Sequence, residues 1–278
     1  MKVVLEGLSF GESARWHDGR LWFADWGTHE VVAVEPGGTA EVVATVPTGF
    51  QFSIDWLPDG RLLVIAGQEA VLLRQEPDGS FVTYADLSSV AGGFNEIVID
   101  ARGNTYVNGG DANPMAGDAP KPGVVALVTA TGEIRQVADE IAFGNGMAVT
   151  ADGRTLIVAE SHGRRLSAFT IEDTGHLSGR RVWADVDGHP DGICLDAEGA
   201  VWYADVPNQR CQRIREGGDV LQTIDFDQGA FSCMLGGDDG TTLYTLTRDW
   251  KGFAEAAGDS RTGRLVATPV SVPHAGHP

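Results

Sequence analysis

"FGNGMAVTADGRTLIVAESHGRRL", residues 143–166, carries two turn signals, and the fold turns on which of them reverses the chain. Asn-Gly between apolar runs is the strongest short-range hairpin signal. Eight residues further on, however, Ala151-Asp152-Gly153-Arg154 stands between the alternating runs Met147–Val149 and Thr155–Ala159 and offers the better reversal. Asn145 is then left at the start of a strand, with a role of its own.

The same turn recurs. "WHDGRLWFADW", "LPDGRLLVIAG", "DARGNTYVNGG", "TADGRTLIVAE", "DAEGAVWYADV" and "GDDGTTLYTLT" place a glycine at Gly19, Gly60, Gly103, Gly153, Gly199 and Gly240, with spacings of 41, 43, 50, 46 and 41 residues. That period belongs to propeller blades of four strands. Third strands ("EVVAVEPGG", "GVVALVTATGEI", "RLSAFTI") and fourth strands ("AEVVATV", "RQVADEI", "RRVWADV") follow, and the N-terminal "KVVLEG" is suited to complete the last blade and close the ring. The expected fold is all-β: one six-bladed β-propeller domain over residues 1–278. A β-sandwich has no reason to repeat one turn six times.

Counting back from each turn glycine gives Asn145 a meaning. Asn95, Asn145 and Asp191 lie eight residues before their glycines and Glu12 seven before its own. Innermost strands line a propeller's channel, so these four oxygen-bearing side chains are expected to converge on the axis. The other two blades offer Phe52 or Ser53, and Ser232, at this level. Two carboxylates and two amides shielded from water need neutralising. A divalent ion does that, and an all-oxygen donor set favours calcium, with magnesium, manganese or zinc open. Register alone also admits four unrelated polar strand caps.

Composition narrows the function. A net charge of −19 argues against nucleic acid and anionic membrane as partners. Cys194, Cys211 and Cys233 are too few and too scattered for a disulfide framework, and are expected to be buried apolar residues. "MKVVLEGLSF" lacks the apolar core of a secretory signal, so a cytoplasmic location is expected, with a monomer as the default for a ring closed on itself.

"GESARWHDGRLWFADW", "FGNGMAVTADGRTLIVAES" and "GHPDGICLDAEGAVWYADV" resemble the family of senescence-marker protein (regucalcin), gluconolactonase and luciferin-regenerating enzyme, and more distantly a squid-type diisopropyl fluorophosphatase. The resemblance spans essentially the whole chain and implies a six-bladed propeller with one axial divalent ion. It implies Glu12, Asn145 and Asp191 as ligands, and Asn95 as a residue that contacts substrate or completes the coordination shell. Sugar-lactone members commonly carry an Arg two residues before that Asn; here the position is Gly93.

The activity implied is lactone hydrolysis, with the metal polarising the carbonyl and Asp191 activating water. Whether Asp191 or a metal-bound hydroxide is the base stays open, as do a phosphotriesterase on the same site and a non-catalytic binding propeller. Asn95 is the second catalytic candidate. Asn95, His189, Trp26 and Phe94 are the substrate-binding candidates, and Trp16 and Phe231 are further aromatics that either line the pocket or pack between blades. Ser13, in "GESAR", lacks the elbow of a hydrolase serine. The stretches 109–123 and 249–263 are candidate lids, and "HAGHP" at residues 274–278 is expected to be a disordered tail.

Overall fold

The computed structural model describes residues 1–113, 116–252 and 260–276. Twenty-four strands among them form six four-stranded sheets. A short first strand, β1 (Lys2–Leu8), precedes blade 1, which is β2 (Gly11–His17), β3 (Arg20–Asp25), β4 (Glu30–Val34) and β5 (Ala40–Thr45). Blade 2 is β6 (Phe52–Trp56), β7 (Leu62–Ala66), β8 (Val71–Gln75) and β9 (Phe81–Asp86); blade 3 is β10 (Gly93–Ile99), β11 (Thr105–Gly110), β12 (Gly123–Val128) and β13 (Ile134–Ile141). Blade 4 is β14 (Gly144–Val149), β15 (Thr155–Glu160), β16 (Arg165–Ile171) and β17 (Leu177–Asp185); blade 5 is β18 (Pro190–Leu195), β19 (Val201–Asp205), β20 (Arg210–Ile214) and β21 (Val220–Asp225). Blade 6 takes β22 (Gly229–Gly236), β23 (Thr242–Arg248) and β24 (Gly263–Pro269) and is completed by β1, which pairs antiparallel with β24 as Lys2↔Ala267 through Leu8↔Gly263.

The first strands of neighbouring blades touch one another all the way round, β22 meeting β2, which makes them the inner wall of a closed ring. The core lies in layers between blade faces. Phe52, Ile54 and Val64 of blade 2 pack on Trp22, Ala24 and Val31 of blade 1, and Ile65 and Leu72 turn the other way onto Ile97 and Val107 of blade 3. Middle strands are buried on both faces, so Leu62–Ala66 is apolar throughout, while the outer strands alternate toward solvent.

All six turn glycines have left-handed φ, between 69° and 83°. At Gly153 nothing lies within 4 Å of where a Cβ would stand, so backbone conformation alone selects glycine there. The Gly153 N–H donates to Thr150 O at 2.7 Å, and the Arg154 N–H donates to Asp152 Oδ1 at 3.0 Å, which makes this the true reversal.

Two expectations need correction or limits. The C-terminal stretch is docked through Gly276: the His274 N–H donates to Gly240 O at 3.1 Å, the Ala197 N–H to Pro273 O at 2.8 Å and the Ala275 N–H to Leu195 O at 3.1 Å. Unpaired backbone at the blade 5 and blade 6 turns gives it partners, and only residues 277 and 278 lie outside the described residues. Part of each candidate lid, 114–115 and 253–259, also lies outside them.

Candidate functional site

Regular pairing would leave the four axial candidates in the pleat of their strands. Five of the six inner strands instead break register at one level: between Glu12 and Arg15, Phe94 and Glu96, Gly144 and Met147, Pro190 and Ile193, and Ala230 and Ser232. A β-bulge inserts an unpaired residue, bends the strand and re-aims its side chain. Asn95, Asn145, Asp191 and Phe231 sit within these slips and Glu12 borders one. Only β6 pairs with β7 without interruption, and its blade supplies no axial carboxylate or amide.

Gly146 and Gly192, each following an axial residue, let the bulged strands approach. A Cβ on Gly146 would stand 2.5 Å from Ile193 N and 2.6 Å from Asp191 O; one on Gly192 would stand 2.7 Å from Ser232 Cα. The Asn-Gly pair is thus a site of close backbone contact.

Glu12, Asn95, Asn145 and Asp191 all line one cavity of about 630 Å³, together with His189, Trp26, Phe94 and Phe231. Trp16 does not; it stacks on Tyr244 at 5.7 Å between blades. Phe52, Ser53 and Ser232 also differ from expectation, being turned to interstrand work rather than to the cavity. Ser53 Oγ donates to Asn95 O at 2.7 Å, Ser232 Oγ accepts the Ala14 N–H at 3.0 Å, and Phe52 packs fully buried in the layer between blades 1 and 2.

The electrostatics centre on Glu12 and Asp191. Burial pushes the Glu12 carboxyl well above its usual value, and the charges of Asp191 and Glu96 push it further; the Ser13 N–H and Arg15 offset only part. Burial likewise raises Asp191, with Glu96 and Asp205 adding to it against hydrogen bonds from Asn145 and the Gly192 N–H. Asp191 Oδ1 is buried and has no hydrogen-bond partner. Leaving a buried acceptor unsatisfied costs about 1–3 kcal/mol, and more for a charged group.

The amides are held. Asn95 Oδ1 accepts from Gln51 Nε2 at 2.7 Å and its Nδ2 donates to Gly144 O at 3.1 Å, so one lone pair of its oxygen is already committed. Asn145 Nδ2 faces Ser161 Oγ at 3.4 Å, and Ser161 Oγ donates to Pro190 O at 2.6 Å. His189 Nδ1 lies 3.0 Å from Ser161 O; a carbonyl can only accept, so Nδ1 carries a proton and Nε2 is the nitrogen left uncommitted by this bond. His162, also lining the cavity, is driven toward its neutral form by burial and by His189.

Beneath the carboxylates lies a feature the sequence reading missed. Arg15 and Glu96 form a buried ion pair at 2.9 Å, and Arg15 also donates to Ile97 O at 2.6 Å. Glu96 accepts the Ile97 N–H at 2.9 Å. In sequence Arg15 reads as an ordinary polar strand residue, and only its place directly before Trp16 in an otherwise inward-facing run hints at burial.

The residues present fit a hard cation. Glu12 and Asp191 supply two carboxylates whose charges destabilise each other, Asp191 Oδ1 lacks a partner, and Asn145 adds an amide within the same cavity. Among the described residues no three His, Cys, Asp or Glu side chains form a metal-holding group, so any such site draws on the amides.

A six-bladed ring with an oxygen-donor cluster at the axial end of its inner strands is the class these observations define. The chain belongs to the SMP-30/gluconolactonase/LRE-like family, whose region matches residues 10–248. Regucalcin of Xenopus laevis is 27% identical over 269 residues, covering 90% of this chain and 88% of that protein. Pentonolactonase XacC of Haloferax volcanii is 25% identical over 270 residues, covering 94% and 90%. In three dimensions the chain is similar to a calcium-binding regucalcin from Agrobacterium tumefaciens, with a TM-score of 0.81 at 19% identity over 99% of this chain and 95% of that one, a likeness of fold.

Proposed function

We propose that the protein is a metal-dependent lactonase, with Glu12, Asn145 and Asp191 as ligands of one divalent ion, calcium by the all-oxygen donor set, and Asn95 beside them. The observation that carries this is the buried, partnerless Asp191 Oδ1 in the same cavity as the raised Glu12 carboxyl. Family membership and a pentonolactonase relative support it. Bound there, the ion supplies Lewis acidity toward a carbonyl oxygen.

The chain's own groups do the rest. Asp191, its basicity raised by burial and by the charge of Glu96, accepts a proton from the attacking water and returns it to the departing alkoxide oxygen. The Asn95 amide, fixed by Gln51 and Gly144, orients the ring beside it. His189, fixed through Nδ1 on Ser161 O, leaves Nε2 for a polar group of the substrate, and Trp26 and Phe94 shape the wall. The charge of −19 supports a small neutral or cationic substrate over nucleic acid.

The test is hydrolysis of a lactone panel, with a phosphotriester included, by protein before and after chelation and after each metal is restored. Lactone hydrolysis abolished by chelator and by Asp191→Ala, and recovered with calcium in the wild type, is expected. A rate indifferent to chelation overturns the reading, and phosphotriester turnover alone would move the activity to phosphorus.

A further inference from the structure

The cavity has two unlike sides. Phe10 and Trp26 of blade 1 and Phe231 and Trp250 of blade 6 form one, with ring centroids 4.9 Å apart for Phe10 and Trp26, 4.8 Å for Phe10 and Phe231, and 5.4 Å for Phe231 and Trp250. The rings are tilted or edge-on to one another, so they buttress each other into a wall. Trp26 Nε1 is already used, donating to Phe52 O at 2.6 Å, and the wall therefore offers a ligand apolar surface without that donor.

Blade 3 lies opposite blade 6 in the ring, and beside Phe94 and Asn95 it contributes a stretch of backbone. Gly92, Gly93, Gly109 and Gly110 line the cavity there, with Gly93 paired to Gly110. A Cβ at Gly109 would stand 2.2 Å from Gly93 O, so the two strands lie against each other as a bare shelf of peptide planes. Polar side chains near the shelf are committed: Gln51 to Asn95, and Asp111 Oδ1 to the Gly92 N–H at 2.8 Å. Asn113 and Lys121 stand exposed on the rim.

A flat shelf facing an aromatic wall is a slot for a flat apolar ring. A polyhydroxylated ring would lay hydroxyls against the aromatic wall, which offers them no hydrogen-bond partner. The size agrees: about 630 Å³ falls within the roughly 300–1,000 Å³ that holds drug-sized ligands, more than one sugar ring fills.

We propose that the substrate carries a planar, apolar ring next to its ester, an aryl-fused or aryl-bearing lactone, held between the Phe10/Trp26/Phe231/Trp250 wall and the Gly92–Gly93/Gly109–Gly110 shelf. This rests on the lactonase reading for the chemistry, but the slot is a separate matter of binding. Gly93 has room for a side chain, with the nearest atoms to a Cβ at 3.6 and 3.7 Å and no left-handed φ, so its smallness selects the ligand rather than the fold.

The experiment pairs turnover with binding. With the metal-loaded enzyme, kcat/KM for dihydrocoumarin is expected to exceed that for D-gluconolactone by about 100-fold, the order that one well-matched apolar subsite gives. Trp250→Ala should lower the dihydrocoumarin value about tenfold through KM, and Gly93→Arg should narrow the preference from the other side of the slot. The non-hydrolysable bicyclic lactam analogue of dihydrocoumarin should quench tryptophan fluorescence on binding, with affinity weakened in Gly93→Arg. Equal or preferred turnover of the sugar lactone, or absence of lactam binding, overturns the slot. Lactam binding weakened by Gly93→Arg in a protein that hydrolyses no lactone supports the slot and defeats the lactonase reading instead.

Discussion

Glu160 and Asp191 are carboxylates of neighbouring blades, both withdrawn from solvent, and they are treated in opposite ways. Glu160 accepts from Arg165 at 2.9 and 3.1 Å, from Arg180 at 2.9 Å, from the Ala142 N–H at 2.8 Å and from Ser167 Oγ. Burial pushes its carboxyl upward, but the hydrogen bonds from Arg165, Ser167, Ala142 and Arg180 prevail and hold it at about 2. Asp191 is raised, and one of its oxygens has no partner. A satisfied buried charge ties strands together; an unsatisfied one is held ready for something that arrives from outside.

The contrast can be broken most directly at Asp191. Asp191→Asn should cut lactone turnover by about 10²–10⁴, the usual worth of a positioned proton acceptor. The same variant, unfolded by urea in chelator, should be no less stable than the wild type, because a neutral amide replaces a buried charge. A large loss of stability would place Asp191 with Glu160 as a structural group.

Glu160→Gln should do the reverse. The folded value of about 2 against an unfolded carboxyl near 4.3 corresponds to about 3 kcal/mol of stability at neutral pH, read from the urea midpoint. Because the folded value is the lower one, that contribution is present above about pH 4.3 and is lost as pH falls toward 2. Wild type and Glu160→Gln should therefore converge in acid. For Asp191 the sign inverts: its raised folded value penalises the metal-free protein as pH rises above about 3.9, the unfolded carboxyl value.

Metal sharpens the comparison from the other side. Calcium at 100 times its dissociation constant should stabilise the wild type by about 2.7 kcal/mol, seen as a rise in Tm, and Glu12→Gln should lose most of the gain. Glu160→Gln should keep it. A comparable or smaller effect is expected at the backbone: Gly146→Ala should cost about 1–3 kcal/mol by forcing β14 and β18 apart, lowering the urea midpoint. A neutral outcome would mean that the inner strands are less tightly apposed than their spacing implies.

Much of this was legible in the chain. The turn glycines announce themselves because a left-handed φ excludes nearly every other residue, and six copies at one spacing leave few folds. Residue count also located the axial candidates, since strands between fixed turns have fixed lengths, and Glu12, Asn95, Asn145 and Asp191 do line one cavity. The register slips that deliver them leave no mark in composition. Arg15 and Glu96 pair across 81 residues of chain, and neither neighbourhood names the other. Cys194, Cys211 and Cys233, distant in sequence, share one buried cluster between blades 5 and 6, where burial and the two neighbouring thiols hold Cys233 protonated. The slot was invisible for a similar reason: its rings come from four separate stretches, and the shelf on its opposite face is made by four glycines.

The pairing of β1 with β24 has a consequence for how the protein comes into being. Lys2 finds its partner in Ala267, so β1, made before the strands of all six blades, must wait for β24, made after them. Until then blade 6 has an unsaturated edge, and the growing polypeptide is an open arc vulnerable to strand exchange with its neighbours. Once fastened, the clasp ties the two ends of the ring into one blade, so that opening the ring there means breaking a strand pairing as well as a packed face.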